Sequence, residues 1–110
     1  SEAIVRQNNA VTEEALDLLN QVRTRAGIPA YTLSDIKDVQ DFLDKVLEER
    51  GHELWFEGAR RTDLIRHGKY IEYARKYRNS VTAQDYMNLM PLPQSVINES
   101  KGQVIQNPGY

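Results

Sequence analysis

Between Leu47 and Lys69 the chain gathers both of its histidines, its single tryptophan and a dense run of acids and arginines. Several chemistries use such residues. His52-Glu53 opens like the zinc-protease pattern H-E-x-x-H, in which two histidines one helical turn apart hold the metal and the glutamate acts as base. The closing position here is Phe56, so the second ligand is missing. Glu49-x-x-His52 has the Glu-x-x-His spacing of di-iron bundles, which require a second such pair and two further glutamates. Leu64 stands three residues before His67, so that pair is missing too, and no metal site is expected. Glu53, Glu57 and Asp63 could supply the acid and base of glycoside hydrolysis. Each has an arginine within helical reach, however, and paired charges in a structural network account for them better. With no glycine-rich phosphate loop, no G-x-S-x-G elbow and no cysteine nucleophile, neither a catalytic residue nor a cofactor is assigned.

Helical spacing must position these side chains. Val39, Phe42/Leu43, Val46/Leu47 and Leu54 recur three or four residues apart and form one apolar stripe, with Gly51 and Gly58 close to it. Glycine inside a helix costs about 1 kcal/mol relative to alanine, so the pair suggests another element passing close by. Arg50 can pair with Glu53, Glu57 with Arg60 or Arg61, and Asp63 with Arg66 or His67. Glu49/Glu53 and Glu53/Glu57 are like-charge neighbours that cations from elsewhere in the fold would have to compensate. Trp55 and the Tyr70/Tyr73/Tyr77 face could stack on sugars or bases; packing at the edge of a core is the favoured reading for both.

Around this element the chain reads as helical throughout. Residues 1–27 form a helical hairpin, punctuated by Asn8-Asn9, capped at Thr12 ahead of Glu13 and Glu14, and closed by Gly27. Ile28–Leu33 is an extended link, because Pro29 disfavours helix at Ile28. Residues 34–78 form a helical body, with the long amphipathic element bending or breaking near Gly58, then segments Ala59–His67 and Lys69–Arg78. Residues 79–110 are a loop and a C-terminal strap: Leu89-Met-Pro-Leu-Pro93 is extended by its prolines, and Pro93 opens a short helical turn through Asn98. The fold class is all-α.

At 110 residues, 40% apolar and 27% charged, the chain makes at most one domain or part of one, and disorder is not expected. No run is long enough to span a membrane. The net charge of −2 hides an asymmetry: residues 1–59 hold six Lys/Arg against twelve Asp/Glu, whereas residues 60–78 hold seven against two. A basic segment can mark a nucleic-acid surface. Here Glu72 interrupts it and no RNA-binding motif accompanies it, so packing beside the acidic half is expected and no nucleic-acid partner.

The order of motifs then carries a resemblance. Leu19-Asn-x-Val-Arg-x-Arg-Ala-Gly27, Glu49-Arg-x-x-Glu-Leu-x-Phe-Glu-Gly-x-Arg61, Asp63-Leu-x-Arg-x-Gly-Lys69 and the ending Leu89-x-Pro-Leu-Pro-Gln94 with Gln106-Asn-Pro-Gly-Tyr110 resemble the C-terminal region of the SusD/RagB family across essentially the whole chain. Arg61-Thr62 departs from it where an aromatic often precedes the Asp-Leu pair. The resemblance implies the C-terminal part of a helical, tetratricopeptide-like nutrient-binding lipoprotein on the outer face of the outer membrane. It further implies a glycan or oligosaccharide ligand, a TonB-dependent, SusC-like transporter as partner, a lipid anchor outside these residues, and no enzymatic activity. The shared motifs assign no ligand-binding residue. Arg50, Glu53, Glu57, Arg61 and Asp63 are therefore expected to form a structural charge network that holds the long helix against its neighbours. The alternative is a helical protein–protein interaction domain that binds no sugar.

Overall fold

The computed structural model describes residues 1–110. Six helices follow one another without a β-strand: α1 (Glu2–Asn8), α2 (Glu13–Arg25), α3 (Val39–Glu53), α4 (Arg60–Arg66), α5 (Tyr70–Arg78) and α6 (Gln94–Glu99). The chain divides into two compact units, residues 1–63 and 64–110, with the division falling inside α4.

In the first unit, short-range chemistry sets the helix ends. The Thr12 hydroxyl accepts the Ala15 N–H at 3.2 Å, and Glu13 and Glu14 place negative charge at the positive end of α2. Gly27 turns the chain at φ +74° just beyond the helix. At α3, Asp38 caps by accepting the Asp41 N–H at 2.8 Å. Between these helices, Asn20 fixes the link to Tyr31 in both directions: its side-chain oxygen accepts the Tyr31 N–H and its amide donates to the Tyr31 carbonyl, each at 2.8 Å. Val5, Ala15, Leu16, Leu19, Phe42, Leu43 and Val46 then bury one core among α1, α2 and α3. Phe42 and Val5 are fully enclosed in it.

The first turn of α3 also carries an acid-sensitive feature. Asp41 accepts Lys45 Nζ at 2.8 and 2.9 Å and the Lys37 N–H at 3.0 Å. Chiefly through the Lys45 bond, and next through the Lys37 N–H, its carboxyl is held below the ordinary value of 3.8. A carboxyl lowered by folding contributes stability that is fully present above the unfolded value and is lost as pH falls through the folded one. Below pH 3.8 the native chain should therefore lose the Asp41 contribution, and Asp41→Asn should flatten that part of the acid limb. Circular dichroism during acid titration of the two proteins checks this.

α3 ends earlier than the apolar stripe suggests. Its last helical residue is Glu53, and the Leu54 N–H closes the end on the Arg50 carbonyl. Phe56 then adopts φ +67° and Gly58 φ +78°, so the chain has left the helix before Gly58.

In the second unit, Leu64, Ile71 and Ala83 are buried. Arg75 donates from Nε and Nη2 to the Ala83 carbonyl at 3.1 and 2.8 Å, tying α5 to the turn that follows it. The segment Leu89–Pro93 is extended, with Leu89 and Met90 exposed and Leu92 half-buried. The last residues hold it. Gln106 accepts the Leu92 N–H and donates to the Leu92 carbonyl, Asn107 donates to the Met90 carbonyl, and the Tyr110 hydroxyl donates to the Leu89 carbonyl. Tyr110 and Tyr86 meet edge-on at 4.9 Å. Gly109, at φ +96°, lies so close that a Cβ there would overlap the Tyr86 ring. Gly109→Ala should cost about 1–3 kcal/mol through this overlap, with added backbone strain, and displace the Tyr86 ring. Thermal denaturation and the Tyr86 ring signals in NMR spectra check it.

Candidate functional site

The acids on α3 are placed by its 3.6-residue period, and the apolar face that docks α3 on α1 and α2 brings them to the end of α2. Glu49 and Glu53 lie one turn apart and repel one another; Arg23 and Arg25 at the C-terminal end of α2 supply the compensating charge. Arg23 Nη1 donates to Glu49 Oε2 at 2.8 Å, and both side chains are nearly buried. The Arg23 Nε donates to the Pro29 carbonyl at 3.0 Å, and its guanidinium covers the Tyr31 ring with Cζ 3.8 Å from the centroid. Arg25 pairs with Glu53 nearer the surface.

A second pair closes the far end of α3. Arg50 Nε donates to Asp63 Oδ2 at 2.8 Å; the Asp63 carboxylate is buried, whereas Arg50 stays partly exposed. Arg60 Nη1 donates to the Leu47 carbonyl at 2.5 Å. Gly51 makes this possible: a Cβ at that position would meet Arg60 Nη1 at 2.7 Å and Cζ at 2.9 Å. The guanidinium of Arg60 is thus what passes close to the helix there.

The residues singled out from the sequence are therefore distributed unevenly. Arg50 and Asp63 are brought together as an ion pair. Glu53 joins Arg25 rather than Arg50. Arg61 is half-buried, and Glu57 is exposed, outside the pairs described above. Arg23 and Glu49 form the most buried pair and Arg25 pairs with Glu53 nearer the surface, yet pairing within one helix reveals neither, because the partners lie 26 and 28 residues apart. The signal that points to them is the uncompensated Glu49/Glu53 repulsion.

The expectation that Trp55 packs within the amphipathic element is corrected. Trp55 is 73% exposed and Phe56 93%, their rings meeting edge-on at 5.7 Å, because the helix stops before the stripe can carry them inward. On α5, the Tyr73 and Tyr77 rings lie 4.7 Å apart and tilted to one another, with Tyr77 largely exposed.

Chemically, the buried carboxylates of Glu49 and Asp63 are each paired with a guanidinium group from another part of the chain, so they cross-link it. No group of three or more His, Asp or Glu side chains is arranged to hold a metal ion. In the second unit a shallow groove of about 590 Å³, lined by Ile71, Glu72, Arg75, Lys76, Asp85 and Asn88, balances two cations against two acids. No helix is long and apolar enough to cross a membrane.

The SusD family model matches residues 1–110. The starch-binding protein SusD of Bacteroides thetaiotaomicron is 31% identical over 117 aligned residues, covering the whole chain but 19% of that protein. The SusD-like protein P38 of Formosa agariphila is 38% identical over 65 residues, which covers 54% of the chain and 13% of that protein. The chain therefore spans less than a fifth of the length of either relative. No solved structure matches it significantly.

Proposed function

The chain belongs to the SusD family, and from that premise we propose that it forms the structural part of a cell-surface protein that binds glycans or related nutrients and hands them to a TonB-dependent, SusC-like transporter. The observation that carries this reading is the family match across every residue, joined to a relative named for binding starch. The internal chemistry supports a binding role over a catalytic one. The acids most enclosed in the first unit, Glu49 and Asp63, are committed to ion pairs with arginines that hold the unit together. In this reading the protein sits at the outer-membrane surface through a lipid anchor carried outside these residues, and the ligand contacts are made largely by the remainder of the family fold.

Calorimetry with a panel of soluble oligosaccharides tests it, run on the 110-residue chain and on a polypeptide of full SusD-family length that contains it. Binding by the longer polypeptide and none by the shorter is the expected result. Equal affinity in both would put the ligand site within these residues, and binding by neither would favour a protein-interaction domain without sugar. Release of reducing sugar by either would overturn the assignment as a binding protein.

A further inference from the structure

The Trp55–Phe56 turn is the one place in the first unit where large aromatic rings are mostly exposed to solvent. Two observations make this more than an ordinary exposed side chain. The backbone at Phe56 sits at φ +67°, a region that bulky residues enter as outliers, and the ring held there is 93% exposed. Strain of this kind persists only where something over-determines it. Here the ring gains no burial in return: its aromatic neighbour is Trp55, itself 73% exposed. The edge-on contact with Trp55 leaves both rings largely exposed.

We propose that the Trp55–Phe56 pair is a docking knob, occupied by the part of the SusD-family fold that lies beyond the region matched here. Two features identify this occupant. The starch-binding relative is about five times the length of the matched region, so most of the family fold lies outside these residues. The knob is followed in the chain by exposed Glu57, in a half that carries an excess of acids, which calls for an apolar socket rimmed by cations. The knob sits directly after the helix that Arg23 and Arg25 fasten in place, so its position is fixed before the partner arrives. The inference rests on family membership and stands whichever nutrient is bound.

Hydroxyl-radical footprinting read by mass spectrometry tests it at single-residue resolution on unmodified protein. In the 110-residue chain both rings should label strongly. In a polypeptide of full SusD-family length containing it, labelling at both should fall severalfold, while exposed Leu33 keeps its label. A companion substitution gives an opposite sign in the two settings. Phe56→Gly relieves the positive φ, so it should leave the melting temperature of the 110-residue chain unchanged or raised, yet lower that of the longer polypeptide. Equal labelling in both would overturn the proposal. So would protection that appears in the short chain as its concentration rises, which would make a second copy the occupant, or protection that requires added oligosaccharide, which would make the pair a sugar platform.

Discussion

Glu49→Ala should destabilise the first unit by about 3–5 kcal/mol, the usual cost of removing one member of a buried charged pair. The carboxylate is 5% exposed and accepts Arg23 Nη1 at 2.8 Å. Its loss strands a guanidinium whose side chain is itself only 12% exposed, with the Pro29 carbonyl and the Tyr31 ring as its remaining described contacts. The size of the loss reflects an uncompensated charge rather than the worth of the pair, and this distinction can be measured. Arg23→Met combined with Glu49→Leu removes both charges and should recover much of the stability, because well-packed apolar replacements of buried pairs are often neutral. Glu57→Ala should by contrast stay within about 0.5 kcal/mol, as surface substitutions usually do. Urea denaturation of the variants decides the matter. A loss at Glu49→Ala no larger than that at Glu57→Ala would mean that the pair is solvated in solution.

Phe42→Ala should produce a loss of comparable size for a different reason. The side chain is fully enclosed among the three helices of the first unit, and truncating a buried phenylalanine costs about 3–5 kcal/mol through lost transfer energy and the cavity left behind. In a unit of this size each kcal/mol moves the melting temperature by about 4–8 °C, so the variant should melt far below the parent or fail to fold at ambient temperature. Differential scanning calorimetry measures it.

These two residues also mark what could be read from the chain and what could not. Phe42 lies on the apolar stripe, and the helical period alone places it in the core. Thr12 and Gly27 bracket α2 with local chemistry that acts within a few residues, so the hairpin was legible. Glu49 was legible only as a problem, an acid beside another acid. Its solution, Arg23, depends on how α2 and α3 cross, and that is settled by core packing rather than by spacing along one helix. Arg50 and Asp63 belong to the charged set read from the sequence, but their mutual pairing across 13 residues follows from the turn between α3 and α4. Trp55 lies outside the core although the stripe includes Leu54, because nothing in the period announces that the helix stops at Glu53 and that the backbone takes a positive φ at Phe56.

The clasp on Leu89–Pro93 has a consequence for how the molecule behaves among its neighbours. An extended, exposed apolar segment ordinarily presents a row of free amide groups on which another chain can build cross-β order. Here Pro91 and Pro93 have no amide hydrogen to offer, and the Leu92 amide and the carbonyls of Leu89, Met90 and Leu92 are already taken by Tyr110, Asn107 and Gln106. The segment can therefore keep its greasy side chains at the surface without serving as a template for fibril growth.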